Sequence, residues 1–259
     1  MPLMFKLKPA LVAYLTCGDP DLRTSCEVAL AAISAGAEVI ELGVPFSDPV
    51  GDGPVIQRAS ERGLKNGVSL EQVLKLAQDI RKESAAGLII FSYLNPVMRM
   101  GLEKFADQAA KAGVDGALII DLPVEEADEY LRLMRKRNLA TVFLAAPTST
   151  DERLKRIAES STGFVYAISR TGITGARKEL AEDAQTLVKR LRKFTDLPIA
   201  VGFGVSTPEH FAAVGTFADV AVVGSAIVQS IEQNPGKEPQ AVAEWIKRVV
   251  GPRSSAVSP

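Results

Sequence analysis

The sequence has 259 residues, of which 47% are hydrophobic and 24% charged, and its 30 basic side chains nearly balance its 31 acidic ones. This composition is typical of a globular protein with a large core, and the near-zero net charge gives no general electrostatic reason to expect nucleic acid or an anionic membrane as a partner. The two cysteines, Cys17 and Cys26, have neither the number nor the spacing of a disulfide framework or a Cys-X-X-Cys site, so we expect reduced thiols.

The first residues lack the pattern of a secretory signal. Residues 1–10 include lysines but no apolar segment followed by a cleavage site, and no apolar run reaches membrane-spanning length. We therefore expect a cytoplasmic protein. Residues 251–259 are polar, rich in Ser and Pro and without periodicity, so we expect a flexible tail after a single domain of residues 1–250.

Short apolar runs, rich in β-branched residues, recur along the chain and predict eight strands. Each run is continuously apolar, which is typical of strands buried on both faces of a parallel sheet. Between them apolar residues return every three or four positions, as in Glu71–Ser84 and Pro123–Arg137, which predicts helices. The predicted strands are Leu11–Leu15, Val39–Val44, Leu88–Tyr93, Ala117–Leu122, Thr141–Ala145, Phe164–Ile168, Ile199–Phe203 and Val220–Val223.

This alternation of strands and helices is compatible with a doubly wound open sheet or a closed barrel. Eight strands in one domain of this length, with no linker or change of composition, favour a (β/α)8 TIM barrel. Sequences such as Ala112-Gly113-Val114 predict helices that end tightly before the next strand. In a barrel the active site lies on the loops after the carboxyl ends of the strands, so we expect the functional residues there.

The predicted strand ends lack the residues that two kinds of reaction would need. None carries a lysine, so a Schiff-base aldolase would have no nucleophile there. No cluster of His, Cys and carboxylates has the spacing of metal ligands, so no metal site is predicted. The single histidine, His210, falls in a helix-start segment and is interpreted as a helix-entry residue. Carboxylates therefore become the candidate acids and bases.

Two carboxylates are the main candidates. Glu41 interrupts the apolar strand Val39–Leu42, and because an unpaired charge inside a barrel is costly, it is either half of a buried ion pair or a functional group. Asp52 lies in a loop rich in Gly and Pro, where an ordinary turn residue is the alternative. Turn or helix-capping roles are predicted for three other aspartates, Asp19, Asp48 and Asp121.

Glycines follow the sixth, seventh and eighth predicted strands. They are Gly175, Gly204 and Gly224, and Gly224 is followed by Ser225. Barrels commonly build a phosphate site at these positions from backbone amides and the N-terminus of a short helix. One loop glycine usually serves a turn, but glycines at three successive strand ends indicate a phosphorylated ligand.

Three segments carry a resemblance to a known family. They are Ala13–Pro20, the long motif Glu41–Pro49 with its continuation through Asp52–Pro54 and Ile56-Gln57, and Tyr166 through Arg170 to Thr174-Gly175. With these segments the chain resembles the tryptophan synthase alpha subunit family over almost its whole length. The long motif is very specific.

The resemblance implies a role for each matching residue. Glu41 matches the general acid/base of the family and Asp52 its second catalytic carboxylate. Tyr166 matches a tyrosine near them, and Thr174 a mobile-loop threonine that orients the Asp52 carboxylate. The implied phosphate-binding positions are Gly175, Gly204, Gly224 and Ser225. The wall of an indole pocket is expected at Phe91, Tyr93, Leu118, Phe203 and Ile56.

The resemblance also implies an activity. This is the retro-aldol cleavage of indole-3-glycerol phosphate to indole and glyceraldehyde 3-phosphate, a step of tryptophan biosynthesis that needs no metal or organic cofactor in this chain. The expected partner is a tryptophan synthase beta subunit, which would bind pyridoxal phosphate and receive the indole in an alpha-beta-beta-alpha assembly.

The chain departs from the family pattern at three places. The segment before the first strand is shorter than usual, Cys17 replaces a common alanine, and Gly51 stands where alanine is usual before Asp52. A glycine there is expected to loosen the Asp52 loop.

Three other functions remain open. Another phosphate-binding barrel, such as an isomerase or a phosphoribosyl-substrate enzyme, would share the glycines but not explain the motif from Glu41 to Pro54. A stand-alone indole-producing lyase would need no beta subunit. The third is a barrel that mainly activates its partner and no longer catalyses a reaction. The presence of both carboxylates, Glu41 and Asp52, argues against this alternative.

Overall fold

The computed structural model of the protein describes residues 5–168, 177–202 and 204–251. Within these residues eight parallel strands pair in chain order, and the eighth pairs with the first, so the sheet closes into a barrel. The predicted (β/α)8 barrel is therefore confirmed. The strands are β1 (Ala10–Thr16), β2 (Val39–Gly43), β3 (Gly87–Ser92), β4 (Gly116–Ile119), β5 (Ala140–Ala145), β6 (Val165–Ile168), β7 (Ile199–Gly202) and β8 (Val220–Val223).

Helices surround the barrel. The predicted helix Glu71–Ser84 is confirmed as a helix of Leu70–Glu83, which begins with a capping box between Ser69 and Gln72. The helices of the described residues are α1 (Leu22–Ser34), α2 (Pro54–Lys65), α3 (Leu70–Glu83), α4 (Leu94–Met100), α5 (Leu102–Ala112), α6 (Asp128–Lys136), α7 (Asp151–Ser160), α8 (Arg177–Leu191), α9 (Pro208–Gly215), α10 (Ser225–Gln233) and α11 (Glu238–Val250).

The helical stretch predicted over Pro123–Arg137 is confirmed, but it is divided into two parts. The chain first makes a 3-10 turn at Val124–Glu126, and α6 begins only at Asp128. The amide of Glu126 bonds to the carbonyl oxygen of Pro123, three residues back, which is the hydrogen bond of a 3-10 turn. Val124 is buried in this turn, with 2% of its surface exposed. The periodicity of apolar residues does not distinguish these two kinds of turn.

Strand ends differ from the prediction where the backbone leaves the sheet. The predicted fourth strand extends to Leu122, but β4 ends at Ile119. The amide of Ile120 makes the last bond to the neighbouring strand, 2.9 Å from the carbonyl oxygen of Ser92, and the chain then turns. Phe203, the predicted last residue of the seventh strand, lies outside the described residues.

The strands are apolar throughout because they are buried on both faces. One set of side chains packs between the barrel and its helices, and alternate side chains point into the barrel. At the end of the barrel where the strands begin, apolar side chains fill the interior; we call this set the lower interior. It contains Ala10, Val12, Val39, Ile89, Leu118, Val142, Phe164, Ala200 and Val220.

The helices do not include a membrane-spanning candidate. Across residues 5–168, 177–202 and 204–251, no helix combines the length and the apolar character that crossing a bilayer requires.

Candidate active site

A cavity of about 610 Å³ opens at the carboxyl ends of the strands, above the lower interior. This is the end at which (β/α)8 barrels carry their active sites. Eight residues singled out from the sequence line it: Glu41, Asp52, Ile56, Phe91, Tyr166, Gly204, Gly224 and Ser225.

Glu41 lies in the middle of β2 and points into the barrel, on the same side as Val39. Its side chain is 1% exposed, and its Oε1 atom has no hydrogen-bond partner among the described residues. No described Arg or Lys pairs with it, so these residues do not form the buried ion pair that the sequence left open. Burial raises the pKa of Glu41 to about 8, so the carboxyl group is protonated at neutral pH.

Two tyrosines fill space beside Glu41 by lying over glycines. Tyr14 of β1 lies over Gly43 of β2, and Tyr166 of β6 lies over Gly202 of β7. At either glycine a side chain would collide with the tyrosine hydroxyl group. The glycines therefore make room for aromatic rings inside the barrel.

The hydroxyl groups of these tyrosines lie near the carboxyl groups. Tyr14 is the register neighbour of Glu41 on the adjacent strand, and its hydroxyl oxygen is 3.3 Å from Oγ1 of Thr16. Burial, and then the charges of Asp52 and Glu41, raise the pKa of both Tyr14 and Tyr166. Both tyrosines therefore remain neutral and can donate hydrogen bonds.

Asp52 lies in the loop between β2 and α2 and is held there by Tyr93. The Tyr93 hydroxyl donates to Oδ2 of Asp52 at 3.0 Å and accepts from the amide of Gly51 at 3.0 Å. Burial raises the pKa of Asp52 to about 6, although the hydrogen bond from Tyr93 acts to lower it. Asp52 is therefore mainly ionised at neutral pH, whereas Glu41 is mainly protonated.

The cavity is also lined by the start of a helix. Helix α10 begins at Ser225, directly after Gly224, and the amides of Ile227 and Val228 bond to the carbonyl oxygen of Gly224 at 2.9 and 3.0 Å, which leaves the amides of Ser225 and Ala226 without a carbonyl partner among the described residues. Gly204 lines the same cavity with a positive φ of 54°, a conformation that favours glycine. A helix N-terminus of this kind can bind a phosphate group.

Two residues expected in the indole-pocket wall do not line this cavity. Leu118 is fully buried in the lower interior and does not line the cavity. Tyr93 lies behind Asp52 and stacks on Phe46, with ring centroids 4.8 Å apart. Three further residues predicted from the sequence, Thr174, Gly175 and Phe203, lie outside the described residues.

The apolar end of the cavity includes residues that the sequence analysis missed. Tyr14 packs edge-to-face on Phe91, with ring centroids 5.1 Å apart. Ile120 and Leu144 continue this wall from the ends of β4 and β5. Ile120 comes two residues after Leu118 and therefore points to the same side, one step higher in the barrel. The alternation of inward-facing and outward-facing side chains along the strand was the signal that could have identified Ile120.

Two of the other aspartates, Asp121 and Asp19, and the histidine have structural roles. Asp121 accepts a hydrogen bond from the first amide of α4, that of Leu94, at 2.6 Å, as predicted for a helix cap. Asp19 lies in the bend after β1, as predicted for a turn residue, and also forms a bidentate ion pair with Arg62, at 2.7 and 2.9 Å. The amide of His210 donates to the capping oxygen of Thr207 at the start of α9, which confirms the helix-entry interpretation.

Comparisons with known proteins identify the family of the chain. The model of the family described as tryptophan synthase alpha chain matches residues 2–256. The chain belongs to this family. The tryptophan synthase alpha chain of Solibacter usitatus is 53% identical over 88% of this chain and 85% of its own length. That of Neisseria meningitidis serogroup B is 46% identical over 93% and 92%.

Solved structures of the family are similar to this chain in three dimensions. A mutant tryptophan synthase alpha subunit from Pyrococcus furiosus superposes with a TM-score of 0.88 at 39% identity, covering 95% of this chain and 99% of the other. A chain of the tryptophan synthase complex from the same organism superposes with a TM-score of 0.87 at 38% identity, with the same coverage.

Proposed function

We propose that Glu41 and Asp52 carry out the retro-aldol cleavage of indole-3-glycerol phosphate to indole and glyceraldehyde 3-phosphate. As a member of the tryptophan synthase alpha chain family, the protein is a lyase of the alpha reaction of tryptophan biosynthesis. The observation that supports the assignment is that one cavity holds two carboxyl groups of different protonation. The pKa of Glu41 is about 8 and that of Asp52 about 6.

Glu41 would act first as an acid and then as a base. An aromatic indole ring accepts the electrons of the breaking carbon–carbon bond only after its carbon 3 has been protonated. Glu41 is protonated at neutral pH and can supply this proton. The resulting carboxylate then removes the proton of the glycerol hydroxyl group while the bond breaks and the carbonyl group of glyceraldehyde 3-phosphate forms.

Asp52 would stabilise the positive charge that develops on the ring. As a carboxylate it accepts a hydrogen bond from the indole N–H group, and this interaction strengthens as the ring becomes cationic. The hydrogen bond from Tyr93 favours the ionised form and holds one of its oxygens in place. Thr174 is proposed to help to orient this carboxylate, as the family resemblance implies.

The two ends of the cavity would bind the two halves of the substrate. The apolar wall of Tyr14, Phe91, Ile120 and Leu144 suits an indole ring. The phosphate group would bind at the N-terminus of α10, with Gly204, Gly224 and Ser225, and with Gly175 by resemblance. We propose no metal or organic cofactor in this chain.

We propose a tryptophan synthase beta subunit as the partner, with pyridoxal phosphate bound in that subunit. The similarity to a chain of the Pyrococcus furiosus tryptophan synthase complex supports a partnership. An alpha-beta-beta-alpha stoichiometry and a cytoplasmic location remain predictions. A stand-alone lyase and a barrel that only activates its partner are the alternatives to be tested.

The test is to supply the purified chain with indole-3-glycerol phosphate, to quantify indole, and to repeat the measurement with a tryptophan synthase beta subunit present. We expect slow release that increases when the partner is added. Fast release that the partner leaves unchanged would indicate a stand-alone lyase. Absence of indole in both measurements would contradict the catalytic proposal.

A further inference from the structure

Gly51 packs directly against Ile120 at the apolar end of the cavity. A Cβ atom built on Gly51 would lie 2.8 Å from Cδ1 of Ile120 and 3.3 Å from the hydroxyl oxygen of Tyr93. Two carbon atoms that are not bonded to each other prefer a separation of about 3.5–4.0 Å. Any residue larger than glycine at position 51 therefore requires one of these neighbours to move.

The backbones on both sides of this contact are held by hydrogen bonds. The amide of Gly51 donates to Tyr93 at 3.0 Å, and the amide of Asp52 donates to the carbonyl oxygen of Pro49 at 3.0 Å. On the other side, the amide of Ile120 is bonded to the carbonyl oxygen of Ser92 at 2.9 Å. The part free to move is the end of the Ile120 side chain, and this side chain lines the cavity.

We propose that Gly51 and Ile120 form a size-matched pair that sets the width of the apolar end of the cavity. A methyl group at position 51 would push the end of Ile120 toward the space where the aromatic ring of the ligand lies. The inference rests on the proposed function, because the ring concerned is that of indole. Gly51 and Ile120 are positioning residues for this ring, and neither takes part in proton transfer.

The contact with Ile120 also explains why position 51 is a glycine, which backbone flexibility alone does not explain. The sequence predicts a looser Asp52 loop from Gly51, but the Gly51 amide is fixed by Tyr93 and its Cα faces Ile120. The large side chain at position 120 occupies the volume that an alanine side chain at position 51 would need. Each residue therefore limits the size of the other.

The experiment compares Gly51→Ala, Ile120→Val and the double variant in steady-state indole release. Gly51→Ala is expected to raise the KM for indole-3-glycerol phosphate about tenfold, the usual effect of one misplaced methyl group in an apolar pocket, with kcat within about threefold. Ile120→Val removes Cδ1 alone, so the double variant is expected to return KM to within about threefold of the unmodified protein. Gly53→Ala is the matched control: it adds the same methyl group to the cavity lining in the same loop, but a Cβ atom there has no neighbour within 4 Å and therefore displaces no side chain.

Two further readouts separate this role from a general loss of structure. The affinity for free indole, measured by calorimetry, should weaken in parallel with KM, whereas competitive inhibition by inorganic phosphate should stay unchanged. The proposal is refuted if Gly51→Ala leaves KM unchanged, or if the KM of the double variant is as high as that of Gly51→Ala. A fall in kcat with a shifted pH profile would also refute it, because Asp52 would then have moved. If the unmodified chain releases no indole, the proposed function fails, and indole calorimetry still tests the pair.

Discussion

The upper and lower parts of the barrel interior are built from the same strands but differ in packing. Val39 and Glu41 both point inward from β2 and are two residues apart. Around Val39 the lower interior is filled with apolar side chains such as Leu118 and Phe164, each 0% exposed. Around Glu41 there is a cavity of about 610 Å³, and Oε1 has no partner among the described residues.

The difference shows how one fold separates stability from chemistry. The lower interior gains free energy from buried apolar area, about 25 cal/mol for each Å² removed from water. The upper interior instead buries a carboxyl group, which raises the pKa of Glu41 to about 8. A group kept protonated in this way is a usable acid at neutral pH, but it lowers the stability of the fold.

Glu41→Gln removes the acid of the upper interior. Glutamine fills the same volume but can neither donate a carboxylic proton nor remove one, so we expect indole release to fall by about a thousandfold or more. Steady-state release of indole in the presence of a beta subunit measures this effect. Activity within tenfold of the unmodified protein would mean that another group supplies the proton.

The control for the same variant is its thermal stability. At pH 8 stability should increase, whereas activity should decrease. The folded protein keeps the Glu41 proton up to about pH 8, whereas the unfolded chain releases it above the ordinary value of 4.5. The free energy of unfolding therefore decreases as the pH rises from 4.5 to 8, by about 1.4 kcal/mol per pH unit. Glutamine has no such proton, so Glu41→Gln should melt above the unmodified protein at pH 8. A lower melting temperature would contradict burial as the cause.

Tyr93→Phe tests what holds the other carboxyl group, Asp52, in its ionised form. Without the hydroxyl donor the ionised form of Asp52 is less stable, so the pKa of Asp52 should rise from about 6. The pH profile of kcat/KM, expected between limits near 6 and 8, should lose its acid side. We expect activity to fall about tenfold at pH 6 and less at pH 7.5.

The matched control for this prediction is Tyr130→Phe. Tyr130 is also buried, and its hydroxyl donates to the carbonyl oxygen of Ala117 at 3.1 Å, away from the cavity. The control should lower the melting temperature but leave the pH profile unchanged. An unchanged profile in Tyr93→Phe would mean that Tyr93 does not control the ionisation of Asp52.

The sequence predicted the barrel well because its signals are local. Continuous apolar runs mark strands buried on both faces, and all eight were found with small differences at their ends. Glu41 was found for the same reason, since a carboxylate is conspicuous within such a run. The break between Val124–Glu126 and α6 was not found, because both turns bury apolar residues at similar intervals.

Depth within the barrel and contacts between distant segments could not be predicted. The alternation of side chains along a strand shows which face a residue occupies, but not how far along the barrel axis it lies. The sequence therefore did not show that Leu118 lies below the cavity and that Ile120 lines it. Tyr14 was missed because, within an apolar strand, it resembles an ordinary core residue. The reason for glycine at position 51 lies in Tyr93 and Ile120, which are far away along the chain.

Substitution of Leu118 gives the smallest expected effect on activity and locates the boundary between the two parts of the interior. Leu118→Ala leaves a space in the lower interior, so the free energy of unfolding should fall by about 2–5 kcal/mol. The KM should stay within about twofold at a temperature at which the variant is folded, because Leu118 does not line the cavity. Ile120→Ala should show the opposite pattern, with a smaller loss of stability and a higher KM, since this side chain is partly exposed to the cavity. If Leu118→Ala raised KM as much as Ile120→Ala, the pocket would extend one layer deeper, and the lower interior would belong to the substrate site as well as to the core.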